Sequence, residues 1–367
     1  MSMALRFIDS FDHYSYSDTA KKKWDDGSLY TDFIGGRFGT QYRVRPGGSG
    51  AFNTAWTGMT KTINPAGVSK IIAGFAVKFD QGADAIAGSH PFLAIRGDDG
   101  KHQIQLFLDP ATATIKAAKA HPSWPTGSSQ ASVSSFTPTY FADTGFMPPF
   151  GLWFYFEIKV DTGGTIELYA DSELILSDTG STLQSGASGY TGVRWMAITP
   201  SNAGFDMDDV YIADGEPGLV TDVLGEVRVE NKQPTANGAI NNFTPSVGTN
   251  NAAMVDGVTG WIDTYPTAEY NASDVLDAID LYQMADYTRD GNIFGVQVNL
   301  AIKKDDVGLR KVKPILRSGS TNYLGTEQKA YSDYIYVGSL WEENPATTSP
   351  WTLTEVNATQ AGVKITV

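Results

Sequence analysis

The run Phe205-Asp206-Met207-Asp208-Asp209-Val210-Tyr211-Ile212-Ala213-Asp214-Gly215 holds the densest set of groups able to do chemistry. Asp206, Asp208 and Asp209 offer hard carboxylate oxygens beside an apolar strand, a donor set that can hold calcium. Clustered carboxylates can also serve as the acid and the nucleophile or base of a glycoside hydrolase. A strand-borne Glu-x-Asp-x-x-Glu arrangement would support that chemistry, but the end positions here are not both Glu. Calcium is therefore the one cofactor the chain suggests, and no catalytic residue is assigned. The plainer alternative is that these Asp side chains bond backbone groups at a sheet edge.

Other reactive groups are sparse. The four histidines stand at positions 13, 90, 102 and 121, without metal-ligand spacing. His13, in Phe11-Asp12-His13-Tyr14, reads as a packing residue with a polar tip. There is no cysteine, so disulfides, thiolate zinc sites and cysteine nucleophiles are excluded. No Gly-x-Ser-x-Gly, P-loop or dinucleotide fingerprint is present. Exposed aromatics can stack on sugars, and Trp124, Tyr140, Phe141 and Tyr190 are the candidates for a glycan. Aromatics in β proteins also serve as core and interface.

The elements that must position these residues are strands. Phe154, Phe156, Ile158 and Val160 share one face, and Trp153, Tyr155, Glu157 and Lys159 the other. Asp161-Thr162-Gly163-Gly164 turns the chain, and Ile166, Leu168 and Ala170 continue the apolar face. The same alternation appears in Phe75, Val77 and Phe79. It recurs where Ile104, Leu106 and Leu108 alternate with Gln103, Gln105 and Phe107. Leu174-Ile175-Leu176, the alternating Val193, Trp195 and Ala197, and Val210 with Ile212 complete the series. A Ser17-capped helical turn is expected near Lys21-Lys22-Lys23-Trp24. Residues 110–150, punctuated by His121-Pro122 and Met147-Pro148-Pro149, read as a long surface excursion.

The chain reads as all-β: two β-sandwich, jelly-roll-like domains in tandem. The boundaries are 1–214 for the first domain, 215–225 for a Gly/Pro linker and 226–367 for the second. Val227 and Val229 open the second domain. Phe294, Val296, Val298, Leu300 and Ile302 form its strongest strand, followed by Tyr334-Ile335-Tyr336-Val337. Asn271 to Tyr282 fits strand or helix, with strand preferred.

The net charge is −14 and the pI about 4.7, over 367 residues. Such a surface repels phosphate, so nucleic acid and anionic membranes are poor partners. No stretch has the length of a membrane-spanning helix and the start lacks a signal-peptide pattern, so no membrane insertion and a cytosolic origin are expected.

The hairpin through Trp153–Ala170, followed by Asp171-Ser172-Glu173-Leu174, resembles the "Leu-Tyr-x-Asp-Gly" hairpin of concanavalin A-like lectin and laminin-G domains. Ser172 stands where that family usually has Gly. The Phe-Asp-x-Asp-Asp-Val-Tyr-Ile strand resembles the closing strand of the same fold. Phe7-Ile8-Asp9-Ser10-Phe11-Asp12-His13-Tyr14 with Lys23-Trp24 is similar to the opening of a group of tailed-bacteriophage virion proteins. Val296-Gln297-Val298 with Lys304-Asp305-Asp306, Leu316-Arg317-Ser318-Gly319, Asn344-Pro345-Ala346-Thr347 with Trp351-Thr352, and Glu355-Val356-Asn357-Ala358 resemble that group's C-terminal domain. The resemblance implies a non-enzymatic structural or interaction protein of the virion without giving its station; the tail or tail tip is preferred to capsid decoration. A carbohydrate-binding adsorption module is the alternative. The implied partners are other virion proteins, copies of itself and a host-surface glycan.

Incubation with polysaccharides is expected to release no reducing sugar. Release that disappears in Asp208→Ala would contradict the non-enzymatic expectation.

Overall fold

The computed structural model describes residues 4–13, 23–27, 33–44, 57–79, 90–109, 111–119, 140–180, 182–184, 186–197, 204–256 and 269–367. The chain forms two compact units, Met1–Asp12 with Trp24–Val229 and His13–Lys23 with Glu230–Val367. Both are built from strands, so the all-β reading holds.

In the first unit two sheets face each other. One is eight-stranded and runs Glu173–Thr179, Thr165–Ala170, Phe154–Asp161, Lys70–Phe79, Phe205–Asp214, Thr40–Val44, Phe33–Gly35, with Ala4–Asp9 also on Phe205–Asp214. The other is seven-stranded: Tyr140–Asp143, Thr114–Lys119, His102–Asp109, His90–Gly97, Tyr190–Ala197, Thr57–Thr62, Asp26–Gly27. All pairings within both sheets are antiparallel.

Aromatic rings fill the space between the sheets. Trp195 is fully buried and meets Phe75 edge-on at 5.6 Å and Trp24 at 5.5 Å. Phe92 meets Phe156 at 5.8 Å and Phe79 at 5.4 Å. Edge-to-face rings set the positive ring edge against a negative face and add to the gain from apolar burial. The apolar sets read from alternation, Phe154 to Val160 and Ile166 to Ala170, all lie in this core.

The hairpin register follows from its turns. Gly164 sits at φ +102, and a Cβ there would collide with the Gly180 carbonyl, so only glycine fits. The next turn is the two-residue link Asp171-Ser172, at φ 47 and 69. A two-residue hairpin needs positive φ at both positions to match strand twist. Ser172 meets that demand without glycine's freedom and carries the strain.

The sequence boundary and the structural one differ. Val227 and Val229 do not open the second unit; they belong to the first. The Val229 N–H donates to Asp209 Oδ1 at 2.7 Å, and Leu224 and Gly225 donate to Glu157 Oε1 at 2.9 and 3.0 Å. Side-chain carboxylates thus tie down the segment that composition marks as a linker. The 110–150 stretch also contains two paired strands, Thr114–Lys119 and Tyr140–Asp143, which extend the seven-stranded sheet. The expected helical turn after Ser17 lies outside the described residues, apart from Lys23 and Trp24.

The second unit has a six-stranded sheet in the order Pro234–Asn241, Ile279–Met284, Gln360–Ile365, Lys311–Ser318, Thr321–Leu324, with Gln328–Lys329 also on Lys311–Ser318. A ribbon of Val296–Ile302 and Ile335–Trp341 covers it. Val298, Leu316, Trp351 and Val356 form one core cluster, and Val312, Val337 and Val363 another. The segment from 271 resolves into the short strand Asn271–Ala272, paired with Thr244–Pro245, then a turn and the strand Ile279–Met284. The helix Leu353–Asn357 starts in a capping box, Thr352 with Glu355.

Ser172→Gly is expected to raise stability by about 1 kcal/mol, because it relieves the left-handed strain of a side chain. Thermal melts of both proteins check this; an unchanged or lower midpoint would contradict it.

Candidate functional site

The three Asp residues do not converge on an ion. Asp206 is buried against Lys78 Nζ at 2.9 Å. Asp208 accepts from the Arg37 and Asp209 backbone N–H groups at 3.0 and 2.8 Å. Asp209 accepts from Val229 and lies 3.4 Å from an Arg37 guanidinium nitrogen. A bulge explains the divergence. Asp209 and Val210 together span one partner position between Asp208↔Ala76 and Tyr211↔Gly74, and Asp209 takes φ 51. Among the described residues, no group of three or more His, Asp or Glu is placed to hold a metal ion. The calcium expectation gives way to a structural role, with the carboxylates fixing backbone donors and an arginine.

Glu157 belongs to the same network. Its Oε1 accepts the Tyr211 hydroxyl along with Leu224 and Gly225 N–H, while Tyr155 OH donates to the Asp209 carbonyl at 2.9 Å. Burial pushes Glu157 above the usual carboxylate range. Burial, then the neighbouring Asp209 charge, pushes Asp208 up to about 8. Asp209 rises to about 6, again by burial, with Val229 and Arg37 opposing.

The glycan candidates separate. Tyr190 is fully buried, with its hydroxyl hydrogen-bonded to the Asp161 carbonyl at 3.0 Å and to the Thr182 hydroxyl at 2.7 Å. It has no face to offer a sugar, so that expectation is corrected: its ring is core and its polar tip is satisfied. Tyr140 and Phe141 are half-buried on the outermost strand of the seven-stranded sheet. The Tyr140 ring lies 5.7 Å from Phe107, with Lys116 Nζ 5.1 Å from its centroid. Trp124 lies outside the described residues. His13 packs edge-on against Tyr336 at 5.6 Å, in a packing role.

The structure assembles a different group on the outer face of the seven-stranded sheet. Arg194 stands between the inward Val193 and Trp195, so it points outward. Its cross-strand partner is Ala94, and Ala94 pairs on the other side with Gln105. Arg96, two residues from Ala94 on the same face, pairs with Gly192 and with His102.

His102 and Gln105 are three apart, so strict alternation would place them on opposite faces. A register shift between Ile95↔Ile104 and Arg96↔His102 absorbs Gln103 and brings them together. The Gln105 amide nitrogen lies 3.1 Å from His102 Nδ1. Burial, followed by the Arg194 and Arg96 charges, brings His102 down to about 3. The ring is therefore neutral at ordinary pH.

Electrostatically this face departs from the chain as a whole. Arg96 and Arg194 are half-buried beside the buried His102 and Gln105. Arg96 forms no ion pair with any described residue. Lys116, farther along the face, is held by Asp109 and, at 3.4 Å, by Asp143. Gln105 Oε1 is buried with no hydrogen-bond partner. An orphaned buried acceptor is costly and calls for a donor. Sequence reasoning passed over this group because His102 had no ligand spacing and the arginines belong to separate strands. The available signal was an arginine at the outward position of each of two strongly apolar strands.

No family model matches the chain, and no curated protein matches it. Among solved structures it is similar to the cellulose-induced protein Cip1, at 15% identity over 58% of this chain and 99% of that one, TM-score 0.39. It is similar to the carbohydrate-binding module CBM66 from Bacillus subtilis, at 13% identity over 50% and 90%, TM-score 0.31. It is also similar to the alginate lyase Aly36B, at 11% identity over 61% and 98%, TM-score 0.36.

A carboxyl group whose folded pKa is raised keeps its proton after the unfolded chain has lost its own. Stability is therefore fully present below the unfolded pKa and is lost as pH rises toward the folded value. For Asp208 that window runs from about 4 to about 8. The wild-type melting midpoint, minus that of Asp208→Asn, is expected to fall across this window. A difference curve that is flat or rises with pH would contradict the assignment.

Proposed function

We propose that the first unit binds carbohydrate through the outer face of its seven-stranded sheet. The observation that carries this reading is the buried, unpartnered Gln105 Oε1 set among His102, Arg96 and Arg194. Planar amide, imidazole and guanidinium groups suit sugar hydroxyls, which donate and accept in fixed directions. A hydroxyl donating to Gln105 Oε1 would satisfy the orphaned acceptor. Tyr140, on the outermost strand and two strands from Gln105, supplies an aromatic ring farther along the same face. The role is recognition without turnover: Asp109 and Asp143 on this sheet are engaged by Lys116, leaving no acid and nucleophile pair among the described residues of the sheet.

The motif resemblance to tailed-phage proteins supports a location for that activity. On a virion, a sugar-binding sandwich joined to a second β unit would serve adsorption to a host surface. The tail is the preferred station, with neighbouring virion proteins and copies of the chain as partners. Mass spectrometry of purified particles tests this; absence from mature particles would defeat it.

The binding reading is tested on a glycan microarray followed by titration calorimetry. Gln105→Met preserves bulk and removes the acceptor. It is expected to weaken binding by about 1–2 kcal/mol, and because it also removes the contact with His102 Nδ1, a melting curve is taken to confirm that the variant is folded. Failure to bind any glycan, or full affinity in the Met variant, would overturn the site.

A further inference from the structure

We propose that the sugar recognised at this face is acidic, with its carboxylate seated between Arg96 and Arg194; the inference rests on the carbohydrate reading above. The strand register supplies the geometry. Arg194 is directly opposite Ala94, and Arg96 is directly opposite Gly192. The two arginines are thus diagonal neighbours on adjacent strands, roughly 7–8 Å apart at the backbone. A guanidinium side chain spans half that distance easily. The residues facing them across the ladder, Ala94 and Gly192, complete a square of four positions; they contribute only a methyl and a hydrogen and are themselves buried.

Charge points the same way. The chain carries −14 overall, yet this square holds two guanidiniums and a neutral imidazole. Arg96 is half-buried and makes no ion pair with any described residue. A partly desolvated cation gains most from a counter-ion delivered with the ligand. Guanidinium matches carboxylate through two parallel hydrogen bonds, a fit that a neutral hydroxyl cannot offer. Gln105 lies beside Ala94 on the side away from Arg194, with its Oε1 buried and without a partner. Across the square, His102 pairs with Arg96 and contributes no charge of its own. Binding should therefore not vary with histidine titration between about pH 5 and 8.

The probes are oligomers of galacturonate, of mannuronate and guluronate, of glucuronate-containing repeats, and sialyl-oligosaccharides. Each is paired with its carboxyl-reduced neutral counterpart and titrated against the full chain. At least one acidic oligomer is expected to bind about tenfold or more tighter than its reduced partner, with affinity falling as salt rises. Arg96→Gln and Arg194→Gln should each erase that preference, and Arg96→Lys should retain part of it. Arg289→Gln, a charge loss in the second unit, should change nothing. Melting curves confirm that the variants are folded, and Arg96→Lys keeps the test decisive if a Gln variant is not. Equal binding of acidic and reduced forms would overturn the acidic ligand while leaving carbohydrate binding intact. An acidic preference that survives both Gln variants would overturn this seat. Failure of every glycan would remove the underlying reading as well.

Discussion

Between Ile95 and Arg96 the strand His90–Gly97 advances one residue while its neighbour advances two, and the polar face of the first unit depends on that mismatch. Ile104, Leu106 and Leu108 stay in the core because the apolar gain from burying them is large. With those positions held inside, a regular ladder would send His102 inward, beneath the sheet and away from Gln105. The bulge absorbs Gln103, whose amide is satisfied by Asp99 and Gln184. His102 and Gln105 then meet on the outside, beside Arg96 and across Ala94 from Arg194. A neutral, ordered imidazole and a buried amide with a free oxygen follow from that single extra residue.

The opposite sheet uses the same device for a different end. At Asp208 and Asp209 a bulge turns two adjacent carboxylates toward backbone N–H groups of Arg37 and Val229. Together with Glu157 and Tyr211 they hold the segment after Asp222 against the first sandwich. Burial raises all three acids, so the network is favoured when they keep protons. One bulge thus leaves an acceptor unsatisfied on an outer face, while the other uses its acids to secure the chain. The contrast is what separates a candidate recognition surface from structural polarity.

Local periodicity made much of the core legible. Phe154, Phe156, Ile158 and Val160 are where alternation puts them, and so are Ile166, Leu168 and Val193. Tyr155 and Glu157 are a partial failure: alternation correctly sets them on the outer face, but they are buried there. Their partners lie 54 to 68 positions away, and no local pattern encodes them. The hold that Glu157 has on the 215–225 segment was hidden for the same reason, since Gly and Pro mark a bend but not what the bend lies against. Tyr190 was misread because an aromatic at a strand start carries no sign of which side it faces. The Arg96, His102, Gln105 and Arg194 group was invisible because two-residue periodicity forbids His102 and Gln105 from sharing a face. Only the register reveals that they do.

Hydrogen–deuterium exchange with and without an acidic oligosaccharide puts the central claim to its most direct test, because it reports where a ligand sits without altering the chain. Protection is predicted in the segments that carry the square, 94–105 and 190–196, with little change at 205–214 or in the second unit. Protection confined to the Asp206–Asp209 strand or to the second unit, with the 94–105 segment unchanged, would contradict the account.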